Sequence, residues 1–171
     1  MYSEADLAYI RSEFVPLFVL CASSGRDIEE VRAAIAERRL PAPPYNDLEY
    51  VPANYFDLPD ANEFRRTFAG DDVEEVLEAY LDGTYFICVR DATVENIARK
   101  NRLVDDIRAL LGNPRRDDSS WRTKLHELVD ELDKIERPFS PDFDRVHFGG
   151  PPTRDELVDG ARQRFPRDAA A

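Results

Sequence analysis

The segment Asp142-x-Asp144-x-x-His147 brings two carboxylates and an imidazole close together in sequence, a donor set that in an irregular loop suits Mg or Zn. Arg145 intrudes and no fourth ligand is indicated, so the reading is no metal and no cofactor. The simpler account has Asp142 and Asp144 pairing with Arg137, Arg145 or Arg154 to hold the loop in place. Gly149-Gly150 ahead of a helix start at Thr153 resembles a backbone cradle for phosphate at the positive end of a helix dipole. The lysine and preceding strand of a P-loop are missing, and Asp155 and Glu156 in the first turn would repel an anion. Adjacent glycines then mean positive φ or close backbone approach. Nucleophilic catalysis has little support. There is no Gly-x-Ser-x-Gly, Ser140 has no base near it in sequence, and the two histidines are His126 and His147.

A binding pocket is the better use of these residue types. Asn96 and Lys100 lie four apart on one helical face, with Arg99 beside them. If that face meets the loop, they and Arg145 form a small polar pocket roofed by Phe139, Phe143 and Phe148, able to grip a carboxylate-bearing or phosphorylated small molecule. The residues expected to contact such a ligand are Asn96, Lys100, Arg137, Asp144, Arg145 and Arg154.

Composition bounds what these residues can be part of. The chain of 171 residues carries a formal charge of −12, distributed as −5 over residues 1–57, −7 over 58–136 and zero over 137–171. Such acidity disfavours indiscriminate contact with nucleic acid or anionic lipid. Acidic and basic side chains interrupt the first 20 residues, and no apolar run approaches the roughly 20 residues of a membrane span, so a soluble cytoplasmic protein is expected. Cys21 and Cys88 sit in apolar surroundings and are expected to be reduced core thiols.

The elements that must position the candidate residues are helical. A capping-box pattern at Ser3 predicts a helix to about residue 14, followed by a short helix over 17–23 and a turn at Ser24-Gly25-Arg26. Asp27 caps a helix striped by Ile28, Val31 and Ile35, and prolines 41, 43 and 44 end it. A short extended hairpin is expected within 44–51, then helices over 61–68 and 73–81. Residues 84–89 have strand propensity but no partner strand, so a buried helical or extended crossing is expected. Thr93 caps a long helix to about 111, Gly112-Asn113-Pro114 stops it, and a helix capped by Asp117, Asp118 or Ser119 returns antiparallel. Trp121, Leu125, Leu128, Val129, Leu132 and Ile135 form its apolar stripe. The loop over 137–152 has no helical period, and Thr153 with Glu156 predicts a capped C-terminal helix. The expected fold is mainly α: a winged helix-turn-helix-like module over 1–57 packed on a helical body over 58–171.

Two resemblances follow from particular residues. Residues 20–28, with Val31-Arg32, Leu40-Pro41 and 50–55, resemble the winged helix-turn-helix of MerR-type regulators and excisionases, whose second helix, here 27–37, enters the major groove. Glu29 and Glu30 in the first turn of that helix oppose such a role. From Val89 onward, landmarks including Glu95-Asn96-Ile97, Arg99-Lys100, Trp121, 136–141, Asp144-Arg145, 148–151 and Arg154-Asp155 resemble an uncharacterised actinobacterial family associated with natural-product biosynthesis. The resemblance implies an accessory protein of that biosynthesis, binding a small molecule or a partner enzyme, and supplies no reaction. The alternatives are a MerR-like DNA-binding regulator and a non-catalytic structural interaction protein.

Overall fold

The computed structural model describes residues 1–147 and 152–167. The chain is mainly helical, in the order α1 (Glu4–Glu13), β1 (Val15–Pro16), α2 (Leu17–Ser24), α3 (Ile28–Ala36), β2 (Tyr50–Val51), α4 (Ala61–Thr67), α5 (Val73–Leu81), α6 (Thr84–Cys88), α7 (Val94–Gly112), α8 (Ser119–Ile135), α9 (Phe143–His147) and α10 (Gly160–Arg164). The two strands are antiparallel, with Val15 opposite Val51 and Pro16 opposite Tyr50. The extended residues within 44–51 thus fold back on the residue pair that separates α1 from α2, and Tyr45 bridges Tyr50 across the 3-10 turn Asn46–Leu48. No helix among the described residues is long and apolar enough to cross a membrane.

Helix starts follow side-chain chemistry. Ser3 and Asp6 form a reciprocal capping box on α1. Asp27, Asp60 and Asp118 each accept two backbone N–H groups at the starts of α3, α4 and α8, and Thr93 accepts that of Asn96 on α7. Gly25 ends α2 in the left-handed region at φ 68°, the conformation that the tight turn into α3 requires. Gly83 is also left-handed, and a Cβ there would lie 2.4 Å from the carbonyl oxygen of Ala42, which is how closely the chain after α3 approaches the α5–α6 turn.

Two apolar cores result. The first gathers α1 to α6 around Leu17, Tyr55, Phe64, Leu77, Tyr80 and Phe86, and extends to Val94 and Ile97 on α7. The second joins Leu103, Val104 and Ile107 of α7 to the expected α8 stripe and to Leu157, Val158, Ala161 and Phe165. Helix α7 therefore serves both cores, its first turns in one and its remainder in the other. Arg99, early in α7, pairs with Glu131, late in α8, as the antiparallel packing of these two helices through the second core places them.

Residues 84–89 resolve as a helical turn followed by one extended residue. Val89 pairs antiparallel with Glu136, the Arg90 N–H donates to the Ile135 carbonyl (2.9 Å), and the Arg137 N–H donates to the Cys88 carbonyl (3.0 Å). This short crossing ties the end of α8 to the first core. Part of the loop after α8 is also more regular than its sequence suggests, since residues 143–147 form α9.

The C-terminal helix differs from the expected one. Thr153 does not cap it; its own backbone is helical, and its hydroxyl donates instead to Glu136 Oε1. The first turns, Arg154–Asp159, are π-helical before α10 begins at Gly160. A cap needs extended backbone at Thr153 and a hydroxyl accepting from the first-turn N–H groups. This residue is helical and its hydroxyl is turned to the buried carboxylate, so the local capping signature loses to a tertiary contact.

Candidate functional site

Glu136 is the centre on which several of the sequence-identified residues converge. It is 1% exposed at the extended crossing, and Lys100, 7% exposed, reaches it from the middle of α7 with Nζ 3.5 Å from Oε1. Arg154 donates to the backbone carbonyls of Asp133 (3.4 Å) and Glu136 (3.5 Å) and pairs with the Asp133 carboxylate. Glu136 Oε2 has no hydrogen-bond partner among the described residues. Burial pushes the Glu136 carboxyl above its ordinary range, an effect that Lys100, Thr153 and Arg154 oppose. Burial likewise pushes up the Cys88 and Cys21 thiols; both cysteines are free, and neither is biased toward a nucleophilic thiolate.

The remaining predicted site residues are dispersed among other partners. Asn96 donates from Nδ2 to the carbonyl of Asp91 (2.9 Å). Arg137, 5% exposed, pairs with Glu13 (2.6 Å), donates to the carbonyl of Arg90 (3.0 Å) and stacks its guanidinium 4.6 Å over Phe14. Arg145 pairs with Asp155 at the surface. Lys100 and Arg154 thus come together, whereas Asn96, Arg137 and Arg145 are each held elsewhere.

Asp144 departs from the ion pair expected of it. It is fully buried, and its Oδ2 accepts from the hydroxyl of Tyr45 (2.9 Å) and from the N–H of Ser140 (2.7 Å), while the Ser140 hydroxyl accepts from the Asp144 N–H (3.0 Å). A phenol and a backbone amide thus occupy Oδ2, where an arginine was expected, while Oδ1 is buried with no hydrogen-bond partner among the described residues. Phe143 packs with Tyr2 and Tyr45, and His147 stacks on Phe143 and places Nδ1 2.9 Å from its carbonyl oxygen. The three metal donors considered in sequence therefore do not converge, and no cluster of three or more metal-ligating side chains occurs among the described residues. Phe148 and Gly149-Gly150, the third roof residue and the proposed cradle, lie outside the described residues.

Asp6 was not foreseen as a site residue. Besides capping its own helix, its Oδ1 accepts from the N–H groups of Asp142 (3.0 Å) and Phe143 (3.1 Å), so one side chain caps α1 and α9 together. Burial opposes its charge, yet the Asp142, Ser3 and Phe143 N–H groups and the Ser3 hydroxyl prevail and hold its carboxyl far below the ordinary range. The capping-box motif signalled the first role. Nothing local signals the second.

Space for a ligand lies elsewhere. A groove of about 970 Å³ runs between α3, the chain just after it, the start of α4 and one side of α5. Its floor is apolar, with Val31, Leu40, Ala61 and Leu81 from the first core and the buried Ala34 beside them. Its charged walls are largely self-paired: Arg38 bridges Glu78 (2.6 Å) and Asp82 (3.0 Å), Arg39 pairs with Glu37 (2.7 Å), and Arg65 pairs with Glu74 (2.8 Å).

These features define a mainly helical protein with two cores, a buried polar joint between them and an open groove on one side. Residues 47–166 match a family described as of unknown function, DUF6058, and the chain belongs to that family. No curated protein and no solved structure matches it. The family match covers the polar joint and only the α4–α5 side of the groove.

Proposed function

We propose that this protein is a cytoplasmic accessory protein of natural-product biosynthesis that binds a small molecule in the groove between α3, α4 and α5. The observation carrying the reading is that groove: about 970 Å³ with a floor of apolar side chains between charged walls, within the size of small-molecule sites. The resemblance in sequence from Val89 onward supports the biosynthetic setting. Ala33 is exposed and lines the groove, so Ala33→Trp fills it without entering the core. Native mass spectrometry of the protein purified from its own host cells should find a small molecule retained by the wild type and lost from Ala33→Trp. Equal retention by both would remove the groove as the site.

A DNA-binding regulator is the second reading, favoured by the α2–turn–α3 arrangement with its left-handed Gly25. The arginines beside α3 weigh against it. Arg32 is held by Glu29 and Glu49 at 2.6 Å each, and Arg38 and Arg39 are held by carboxylates as described above. Binding phosphates would require these pairs to open, in a module whose net charge is −5. A gel-shift against the DNA upstream of its own gene should show no sequence-specific complex at moderate salt. A tight, specific complex would reverse the ranking.

A further inference from the structure

Among the described residues, two charged side chains in the groove are neither ion-paired nor used as helix caps, and they are of opposite sign. Asp27 and Asp60 are occupied as helix caps, and Arg38, Arg39, Arg65, Glu37 and Glu78 are ion-paired. Arg26 and Glu30, which lie four residues apart at the start of α3, also line the groove. Among the described residues no carboxylate pairs with Arg26; its guanidinium instead lies over the Phe56 ring, 4.4 Å from the centroid. Stacking uses the face of a guanidinium and leaves the in-plane N–H donors at its edge. The stacked Arg26 therefore keeps available the fork that grips carboxylates bidentately. Glu30 gives its backbone N–H to Asp27, and no cation among the described residues pairs with its carboxylate.

From this we infer that the groove takes a zwitterion with an aliphatic body, of the amino-acid or short-peptide class, its carboxylate on Arg26, its ammonium on Glu30 and its apolar part on the Val31–Ala34–Leu81 floor. This rests on the groove being the binding site and adds the chemistry of the ligand. An uncharged or purely anionic ligand would leave Glu30 opposed or unused, and a purely cationic one would leave Arg26 so.

The test uses the dipeptide leucyl-leucine, its C-terminal amide and its N-acetyl form, titrated calorimetrically into the full chain. The dipeptide should bind the wild type, with each capped form about tenfold weaker. Arg26→Met should lose about tenfold for the dipeptide and nothing further for the amide, and Glu30→Gln should behave in the same way toward the N-acetyl form. Equal affinities for the three peptides, no binding of the dipeptide, or variants that bind it as the wild type does would each overturn the inference. Because the peptides probe ligand chemistry and Ala33→Trp probes the location, a co-purified ligand lost from Ala33→Trp alongside absent peptide binding would keep the groove and discard the zwitterion.

Discussion

Lys100→Met should lower the stability of the fold by about 3–5 kcal/mol, a large share of the roughly 5–15 kcal/mol that holds an ordinary domain together. The size follows from where the pair sits. Lys100 and Glu136 are both almost entirely out of water, and one oxygen of Glu136 is already without a hydrogen-bond partner among the described residues. Removing the ammonium leaves a buried carboxylate with only the Thr153 hydroxyl as a short-range partner. Glu136→Gln should destabilise for the converse reason, leaving an ammonium opposite a neutral amide. The double variant Lys100→Met/Glu136→Leu should recover most of the loss, because an apolar pair of similar volume carries no desolvation cost. Urea unfolding of the four proteins gives the coupling. If the two single losses simply add in the double variant, the residues do not act as a pair.

The same pair sets a pH dependence. Burial raises the Glu136 carboxyl above its ordinary 4.5, so the folded state binds more protons than the unfolded state between those two values. Glu136 therefore contributes most below pH 4.5, and that contribution is lost as pH rises through the raised value. Removing Lys100 takes away a group that opposes the shift, so Lys100→Met should extend this falling limb to higher pH. The double variant should lack it.

How much of this was legible in the sequence depended on the range of the interaction concerned. The caps Ser3, Asp27 and Thr93 act within three residues of themselves and the α8 stripe is a local period, so both were readable. The sequence narrows the α8 cap only to Asp117, Asp118 or Ser119, of which Asp118 serves. Tyr45 and Asp144 meet across 99 residues, and nothing near either announces the other. Thr153 misled because its Thr-x-x-Glu pattern is a real cap signature, overridden by Glu136, a partner 17 residues earlier. The joint was partly legible, since Lys100 and Arg154 were identified without Glu136, the acid that unites them. The groove was not legible at all. Its floor residues have the spacing of ordinary core positions, and the opening between α3, α4 and α5 arises from how the helices are set, which a period does not encode.

Asp6 offers the sharpest test of the loop anchor. Asp6→Ala should cost about 4 kcal/mol, well above the roughly 1 kcal/mol of losing a simple helix cap, because the N–H groups of Ser3, Asp142 and Phe143 lose their acceptor together. Ser3→Ala, which removes the cap and spares the loop contacts, is the control and should cost only the smaller amount. Hydrogen exchange gives the local signature: the amides of Asp142 and Phe143 should lose protection in Asp6→Ala and keep it in Ser3→Ala. The pH dependence supplies a second readout with a fixed sign. The Asp6 carboxyl is held below its ordinary 3.8, so the unfolded state binds its proton first on acidification. Its contribution is complete above the unfolded value and is lost as pH falls below about 4 through the folded value. The gap between wild type and Asp6→Ala should therefore be constant near neutrality and narrow in that acid range. A gap that stayed the same to the lowest pH at which the protein folds would mean that the side chain acts by packing alone, and that the two backbone bonds to the loop contribute nothing through its charge.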